Sequence, residues 1–593
     1  MPFFFIILYN FIIIHYKIIC FYLQEQLLTG QIISSDYISS NTLNAFDNNT
    51  LTFFKSFDTN CWIGLDFLSP HYITRIGWAR SNYDKSDYIL AIFEASNYQN
   101  FYDAVPLHMI KDEGKINEIN YVDILTTKAF RYIRYVGPPE HYCIISEIQI
   151  FGYDNKSDIF GYMNNKQDYF YQCTNIPLLV INSGYLNDYV ETMHNLNGYL
   201  QMINNNKIEV KGKVNKRLRG NGSVYNPKVS YRLRFLEGKI TFLNFHTKSK
   251  DWILIANYDD KTLIRNLISL EISRLFGMRF TVNCKPIDLI CNGKYFGNYI
   301  ICEKIEIKKD KINISKLNES CINYPEITGG YLLEIDAYIE KEISKFISLK
   351  NNFVTIKYPK KNKIIPEQHM YIENKFNEME RKLFKNDLSK IDIDSFVQYF
   401  LIQELSANSD AYWSVRMYKE RNDDRFYFGP VWDFDIAFDN DGFVYPINNK
   451  KQFAFEYGHS RGGTPKFIEK ILVNKNIIKK IKHLWKYVFE NHLKDNYLIT
   501  YIDELVKKIN ESQRLNFIRW KILDKVIKTR NPIIKFTYEN EIIFLKKFVE
   551  SRIRWMNKYI LDDKLYDIYI NNISEILNNK SIFIILIQIF LFS

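Results

Sequence analysis

The chain has 593 residues, of which 47% are hydrophobic and 24% are charged. This composition excludes an intrinsically disordered protein, and the length predicts two or three domains. The formal net charge of +11 is spread over 78 basic and 67 acidic residues. Because the sequence contains no dense block of Lys and Arg, we expect no nucleic-acid partner.

The two ends of the chain are apolar. Residues 1–23, MPFFFIILYNFIIIHYKIICFYL, predict a signal peptide or an uncleaved N-terminal anchor, and hence a secreted or cell-surface protein. A buried first strand or helix is the alternative. At the other end, residues 566–593 form a tail whose apolar part, Ser581–Ser593, is short for a membrane span. That part predicts a packed helix or a lipid-anchor signal.

The eight cysteines form no CxxC pair. Their spacing therefore argues against a structural zinc site. In an exported protein some of them can form disulfides. Cys61 and Cys143 are the first candidates, because they lie in the same N-terminal module.

Residues 30–155 contain short β-type runs, such as CWIGLDF and YILAIFEAS, separated by clusters of turn residues. This spacing predicts an antiparallel sandwich or barrel. The strings AFDNNTLTFF, WIGLDF, ITRIGWARS, FEASNYQNF and FRYIRYVGPPEHYCIISEIQIFG resemble the coagulation-factor 5/8 C-type (discoidin) domain in order and spacing. The resemblance implies a jelly-roll sandwich that binds a carbohydrate or a membrane surface. Residues 156–170 are polar and predict a linker.

Three residues of this module predict either of two local structures. Asp47, Asn48 and Asn49 are consecutive oxygen-bearing side chains in a loop. They could hold a calcium ion, or they could form an Asx turn. Trp62 and Trp78 are expected in the core of the sandwich.

The C-terminal module, residues 171–565, begins with a glycine-rich segment, RLRGNGSVYNPKVSYRLRF. Its two glycines would expose backbone N–H groups, and Lys228 follows within one strand length. This arrangement predicts a cradle for phosphate. An ordinary hairpin turn at Gly-Asn-Gly is the alternative.

A helix and two further strands follow. In KDWILIANYDDKTLIRNLISLEISRLFG, Asp259 or Asp260 predicts the start of a helix and Gly277 its end. The pair Asn292-Gly293 predicts a tight hairpin turn in CNGKYFGNYIICEKIEI. The segment GGYLLEID predicts another strand, which ends in two carboxylates, Glu334 and Asp336; these are either functional or simple salt-bridge groups.

The segment QELSANSDAYWSVRMYKERNDDRFYFGPVWDFDIAFDN is the most informative part of the chain. It predicts a helix, Asp410 in the following loop, a β-hairpin, and then Asp433 and Asp435. Protein kinases use the same order to place a catalytic base and a metal ligand around the transferred phosphoryl group. One carboxylate would orient the substrate proton, and another would hold a divalent metal against the phosphates.

Together, RGNGS…PKVSYRL, WILIANYDDKTLIRN, GKYFGNYIICEKIE, GGYLLEID and GPVWDFDIAF resemble the CotH kinase family, over roughly residues 178–555. The resemblance implies an atypical α+β protein-kinase-like fold behind the all-β jelly roll. It also implies ATP and Mg²⁺ or Mn²⁺ as cofactors. The expected reaction is transfer of the γ-phosphoryl group to Ser or Thr of extracellular, wall or coat proteins.

The resemblance also implies roles for single residues. Asp410 would be the catalytic base and Asp433 the metal ligand, with Asp435 as its helper. Lys228 would contact the nucleotide phosphate. The residues expected at the nucleotide are Arg219, Gly220, Asn221, Gly222, Ser223, Lys228 and Glu303.

Glu334 and Glu404 match further motif positions and are expected to support the site. In one position the chain departs from the family. Many members carry an Asn five residues after the catalytic Asp, where it holds a second metal ion. This chain has Val415 there, with Ser414 beside it as a weaker oxygen ligand.

The remaining C-terminal sequence, from about residue 462 to 560, has amphipathic stripes that predict a packed helical lobe. Trp432 and Phe434 are expected in the core. Two alternatives to a kinase stay open. One is a surface adhesion protein with a degenerate kinase-like domain. The other is a carbohydrate-active enzyme, against which the kinase-like order of the carboxylates argues.

Overall fold

The computed structural model describes residues 25–36, 40–80, 88–124, 128–154, 172–183, 195–220, 222–336, 344–412, 414–446, 453–456, 466–527 and 532–562. The predicted N-terminal export segment, the linker at 156–170 and the C-terminal tail lie outside these residues, as does Asn221. Among the helices that are described, none combines the length and the apolar character that a membrane span needs.

The N-terminal unit is built from strands and one short helix, α1 (Ser40–Leu43). Its strands are β1 Gln26–Leu27, β2 Gln31–Ser34, β3 Phe54–Thr59, β4 Trp62–Ala79, β5 Ile92–Ser96, β6 Val105–Met109, β7 Asn120–Asp123, β8 Phe130–Val136, β9 Tyr142–Ile145 and β10 Glu147–Asp154. The main sheet runs β1-β10-β4-β8-β5-β6, with β2 and β7 also paired to β4, and β3 pairs with β9. All these pairings are antiparallel, so the predicted all-β sandwich is confirmed.

A closed barrel follows in the chain. Its strands are β11 Leu178–Ser183, β12 Leu196–Asn204, β13 Lys207–Arg219, β14 Ser230–Phe235, β15 Asp251–Ile255, β16 Cys284–Cys291 and β17 Lys294–Glu303. The order is β11-β12-β13-β14-β15-β17-β16, and the parallel pairing of β11 with β16 closes it. The interior holds large apolar side chains, among them Trp252, Tyr231 and Phe235. The barrel is therefore a packed core and not a pore.

The third unit combines a small sheet with helices. Its strands, in the order β19-β20-β18-β21-β22, are β18 Tyr331–Asp336, β19 Lys345–Ile347, β20 Phe353–Tyr358, β21 Ser414–Lys419 and β22 Phe426–Phe428. The helices are α2 Arg265–Leu275, α3 Pro366–Phe384, α4 Ile393–Ser406, α5 Lys466–Leu472, α6 Lys475–Val488, α7 Tyr497–Arg519 and α8 Tyr538–Leu561. They share one large apolar core, which confirms the predicted helical C-terminal lobe and the α+β class.

The sandwich packs directly on the barrel and on α7. One continuous apolar cluster joins the sandwich core to Val180, Ile290 and Leu515. Polar contacts cross the same boundary: Arg514 donates a hydrogen bond to the carbonyl of Gly137 at 2.7 Å. The two modules are therefore held together by a buried interface as well as by the chain connection.

The predicted Cys61–Cys143 disulfide is wrong. Both thiols are buried and unbonded, and Cys61 donates a hydrogen bond to the Asp36 carboxylate at 3.1 Å. The disulfide that the described residues contain joins Cys284 to Cys302 instead. These two residues lie directly opposite each other on β16 and β17, a register that the cysteine spacing did not reveal.

Candidate functional site

The loop that carries Asp410 is fixed at the end of α4. The helix is closed by Ala407 in the left-handed conformation (φ 47°), which turns the chain sharply. The next residue, Asn408, is buried and donates its amide to Gln403 Oε1 at 3.1 Å. Its own Oδ1 accepts a hydrogen bond from the Asp410 backbone N–H at 3.2 Å. The half-buried Asp410 thus projects from a rigid turn.

The flanks of Asp410 are anchored as well. Ser409 donates a hydrogen bond to Asp441 Oδ2 at 2.6 Å, and both side chains are buried. On the other side, Tyr412 donates its hydroxyl to Glu404 Oε1 at 2.8 Å. Because the neighbours on both sides are tied to buried carboxylates, the position of Asp410 is determined by the core beneath it.

Glu404, expected as a supporting residue, is the buried centre of this anchoring. Besides Tyr412, its carboxylate accepts hydrogen bonds from the backbone N–H groups of Ala454 and Phe455, and it pairs with Arg552 of α8 at 3.4 Å. Burial raises the pKa of this carboxyl to about 7, against the opposing charge of Arg552. Glu404 therefore connects the Asp410 loop to the C-terminal helix.

The segment after the hairpin holds Asp433 in an unusual backbone conformation. Asp433 has a φ of 71° and an exposed side chain, whereas the next residue, Phe434, is fully buried as predicted. The Phe434 N–H donates to Asn266 Oδ1 of α2 at 3.0 Å. Asn408 donates to the carbonyl of Asp433 at 3.2 Å. These two hydrogen bonds hold the backbone on the carboxyl side of Asp433 in place.

The backbone of Asp435 is linked through hydrogen bonds to the segment that follows the glycine-rich turn. Asn440, which is buried, donates its amide to the carbonyls of both Asp435 and Asp259 at 2.8 Å. Asp259 in turn accepts a hydrogen bond from Asn226 Nδ2 at 2.9 Å. We call Asp410, Asp433 and Asp435 together the aspartate site.

Two arginines stack on Trp432 beside the aspartate site. The Arg219 guanidinium lies 4.8 Å from the centre of the Trp432 ring, and that of Arg416 lies 6.0 Å from it. Burial lowers the pKa of Arg219, while the charge of Asp433 opposes that shift. Trp432, expected in the core, is only half-buried, because its ring is the platform for these cations.

Glu334 neutralises part of this positive charge. Its carboxylate pairs with Arg416 at 3.0 Å and with Lys357 at 2.5 Å, and Ser414 donates to it at 3.2 Å. Burial by itself would raise the pKa of Glu334, but the two cations hold it at about 2. Glu334 is therefore an ion-pair partner that orients Arg416. Val415 is fully buried in the core, so its side chain supplies no metal ligand.

Two residues expected at the nucleotide bond to side chains and carbonyls of the barrel and α7. Lys228 is buried and donates hydrogen bonds to the carbonyl of Asn298 at 2.5 Å and to Asn516 Oδ1 at 2.9 Å. Burial lowers its pKa to about 7. Glu303 accepts a hydrogen bond from Asn283 Nδ2 at 3.0 Å. Among the described residues, these hydrogen bonds join Lys228 and Glu303 to residues outside the aspartate site.

The glycine-rich segment forms an exposed turn next to Arg219. Gly220 has a φ of 115°, so a side chain there would strain the backbone, and its Cβ would lie 2.0 Å from Ser223 Oγ. A short 3₁₀ turn, Gly222–Tyr225, follows, and Tyr225 is 81% exposed. An exposed turn that contains a glycine at positive φ is compatible with the predicted phosphate cradle.

Sequence reasoning missed Arg416, Lys357, Asn266, Asn408 and Asn440. One of them carried a usable signal: Arg416 is two residues after Ser414 on one strand, so both side chains share a face of the sheet. Asn408 carried another, because it lies two residues before Asp410 in the same loop. Lys357, Asn266 and Asn440 come from other segments, and the sequence analysis gave them no role.

The residues present fit a divalent metal that is bound together with phosphate. Within the described part of the chain, no three His, Cys, Asp or Glu side chains form a cluster that could hold a metal ion alone. Mg²⁺, however, is usually held by one or two carboxylates plus substrate phosphates and water. The exposed carboxylate of Asp433, with Asp435 two residues later, supplies such a donor set.

The predicted loop of the sandwich forms the Asx turn. The Asn49 N–H donates to Asp47 Oδ1 at 3.0 Å, and Thr52 donates to Asp47 Oδ2 at 2.7 Å. Beside the turn lies the buried Glu147, whose pKa burial raises to about 7. Its Oε2 atom is buried and has no hydrogen-bond partner. An orphaned carboxylate oxygen next to Asp47 fits the calcium ion that the loop also predicted. Trp78 is in the core, as expected, and Trp62 is half-buried.

Comparisons with known proteins found matches to the N-terminal unit and to the C-terminal module. None of the curated proteins matches the chain. Solved structures similar to the N-terminal unit include "CBM62 from Clostridium thermocellum Xyl5A", at 32% identity over 22% of this chain and 97% of that chain, with a TM-score of 0.21. They also include the family 32 CBM from C. perfringens NanJ in complex with galactose, at 11% identity over 22% and 99%, with a TM-score of 0.19.

A family model matches most of the C-terminal module. The model described as "CotH kinase protein" covers residues 217–556, from the glycine-rich turn to α8. This range is more than half of the 593 residues and includes every residue of the aspartate site. The chain therefore belongs to the CotH kinase protein family.

Proposed function

We propose that this chain is a secreted or cell-surface protein kinase that transfers the γ-phosphoryl group of ATP to Ser or Thr residues of extracellular, wall or coat proteins. The observation that carries the proposal is the position of Asn408. It bonds to the backbone of both Asp410 and Asp433, and so ties the loop of the proposed base to the segment of the proposed metal ligand. The match of residues 217–556 to the CotH kinase family model supports the same reaction class.

Asp410 is the proposed catalytic base. Its carboxylate would accept the proton of the attacking hydroxyl, a role that requires a fixed position within hydrogen-bond reach of the acceptor. The rigid turn at Ala407 and the anchors at Ser409 and Tyr412 supply that position.

Asp433 and Asp435 would hold Mg²⁺ or Mn²⁺. The ion, when bound, supplies positive charge that neutralises the phosphate oxygens during transfer. The exposed side chain of Asp433 leaves its carboxylate accessible, and the hydrogen bonds around Asp433 and Asp435 keep the backbone in place.

Arg219 is the proposed cationic partner of the nucleotide phosphates, in place of the buried Lys228. A guanidinium fork matches two phosphate oxygens at once, and stacking on Trp432 orients its plane. Arg416 is held by Glu334, so its charge adds to the field at the site while its direction stays fixed. Gly220 and the exposed turn after it would let the backbone approach the phosphates.

For the sandwich we propose a targeting role: binding of a carbohydrate or a membrane surface, with calcium held between Asp47 and Glu147. The observation behind the calcium is the orphaned Glu147 Oε2. Leu51 and Phe57, which are 73% and 74% exposed, lie within ten residues of the calcium loop and offer apolar contact.

Binding of nucleotide to the full chain tests the kinase proposal. With Mg²⁺ or Mn²⁺, ATP at about a hundred times its dissociation constant should stabilise the protein by roughly 2.7 kcal/mol. Without the metal, the stabilisation should be much smaller. Asp433→Ala should remove the metal-dependent part, whereas Asp394→Ala, an exposed carboxylate of α4, should keep it. If neither ATP nor GTP shifts the melting temperature with either metal, the adhesion alternative replaces the kinase.

A further inference from the structure

A cavity of about 630 Å³ lies where the sandwich meets the barrel. One wall comes from the sandwich and includes Trp78, Lys111 and Tyr121. The other comes from the segment that leads into the barrel, with Thr174 and Asn175, and from the turn between β12 and β13. This volume is in the range of small-molecule sites in proteins. The cavity is separate from the aspartate site and from the calcium loop, since it shares no lining residue with either.

The walls of the cavity are held in place by buried hydrogen bonds. Gln172, which is 6% exposed, donates its amide to the carbonyls of Thr174 and Ile176 at 3.1 and 2.8 Å. Its Oε1 accepts from the Asn206 N–H at 3.2 Å. Thr174 is also buried and donates to Asp288 Oδ2 of the barrel at 2.6 Å. The cavity is thus bounded by a defined framework and not by a loose gap between domains.

The two lysines in the walls are already paired with carboxylates. Lys111 pairs with Glu511 at 2.9 Å, and Lys115 pairs with Glu118 at 3.0 Å. Asp112 accepts a hydrogen bond from the N–H of Gly114 at 3.2 Å. With both lysines paired and Asp112 adding a negative charge, an anionic ligand such as a nucleotide would have to compete with carboxylates for each cation. The electrostatics therefore disfavour an anionic ligand.

The remaining lining is amide-rich on one side and apolar on the other. Asn175, Asn205 and Asn206 carry both donors and acceptors, which suits a ligand whose groups also do both. The exposed ring of Tyr121 and the half-buried Val122 offer apolar surface. A sugar combines these two properties. Its hydroxyl groups pair with amides, and the C–H face of its ring packs on an aromatic ring.

We propose that this cavity binds a neutral, hydroxyl-rich ligand, a mono- or disaccharide unit, at the junction of the sandwich and the kinase-like domain. It is a second site, additional to the surface that the calcium loop serves. A ligand there would touch both modules at once. The proposed sugar binding does not depend on the proposed phosphoryl transfer.

Calorimetric titration of the full chain with lactose, cellobiose and N,N′-diacetylchitobiose tests the proposal, with inorganic phosphate as the anionic probe. At least one disaccharide should bind. Asn175→Trp, at an exposed position of the cavity wall, should fill the space and weaken binding at least tenfold. Asn175→Ala, which keeps the cavity open and removes one amide, should weaken it by a smaller factor.

A control variant locates the site. Asn476→Trp, an exposed position of α6, should bind the sugar as the unchanged protein does. The proposal is overturned if no sugar binds, if Asn175→Trp binds normally, or if phosphate occupies the cavity. Asn175→Trp should be stabilised by ATP as much as the wild-type protein is. If ATP fails to stabilise the wild-type protein, that result counts only against the kinase proposal.

Discussion

Lys228 and Asn516 are 288 residues apart in the chain, yet Lys228 Nζ donates a hydrogen bond to Asn516 Oδ1 at 2.9 Å. The same oxygen accepts from the N–H of Asn298 at 3.2 Å. Helix α7 can come this close because Gly297 has no side chain: a Cβ there would lie 2.4 Å from Asn516 Oδ1. A lysine expected to bind phosphate thus joins the barrel to the C-terminal helices.

This buried lysine predicts a specific pH dependence of stability. Burial lowers the pKa of Lys228 to about 7 from its ordinary value of 10.5. Between these two values the unfolded chain binds more protons than the folded one, so stability should rise with pH across this window. Lys228→Met, a neutral side chain of similar length, should show a flatter dependence between pH 7 and 10. Denaturant unfolding at several pH values measures this, and equal slopes for both proteins would contradict it.

Asp410→Asn should abolish most phosphoryl transfer and leave the fold intact. The amide cannot accept the substrate proton, but it is nearly isosteric, and the anchors at Ser409 and Tyr412 are untouched. Radiolabel transfer to the chain itself or to a coat-protein extract measures the activity, and thermal melting checks the fold. Wild-type labelling by the variant would remove Asp410 from the role of base.

Arg219→Ala should raise the KM for ATP more than it lowers kcat. Loss of the guanidinium removes a contact that binds ground state and transition state alike. Arg219→Lys should recover part of the affinity, because it keeps the charge and loses the fork. The matched control is Arg217→Ala, an exposed arginine on the same strand. If Arg217→Ala and Arg219→Ala raise the KM equally, the contribution is general charge and not a contact.

Glu404→Ala should both destabilise the protein and displace the Asp410 loop. Removing one partner of a buried pair leaves Arg552 uncompensated, which typically costs about 3–5 kcal/mol. The loss of Tyr412's acceptor should lower activity further. Glu404→Gln keeps an acceptor for Tyr412 and should retain more activity than Glu404→Ala at a temperature where both remain folded. Identical residual activities would show that Glu404 acts only through stability.

Calcium should stabilise the sandwich through Glu147. Adding Ca²⁺ to chelator-treated protein should raise the melting temperature, since a ligand that binds only the folded state stabilises it. Glu147→Gln should remove the calcium-dependent part of the shift. Glu118→Gln, an exposed carboxylate of the same unit, should keep it. A shift of equal size in both variants would place the calcium elsewhere.

Local sequence patterns predicted much of the fold. The Asn292-Gly293 pair forms the expected tight turn between β16 and β17, with φ values of 49° and 72°. Gly277 ends α2 with a φ of 73°. The start of α2 was predicted too early: its N-cap is Ile264, without a side-chain cap, although Asp260 accepts a hydrogen bond from the Arg265 N–H at 2.9 Å. The hairpin turn and the helix end depend on neighbours within a few residues, so the sequence contains their cause.

The sequence by itself also determined the order of the aspartate site, because a helix, a loop, a hairpin and the segment with Asp433 follow one another directly in the chain. Only the tertiary structure decided which cation lies beside it. Lys228 and Arg219 are both basic residues near the same glycines, and no local pattern distinguishes them. Helix α7, almost 290 residues later, buries the first, while the ring of Trp432 orients the second. Burial depends on what packs against a side chain, and long-range packing sets that.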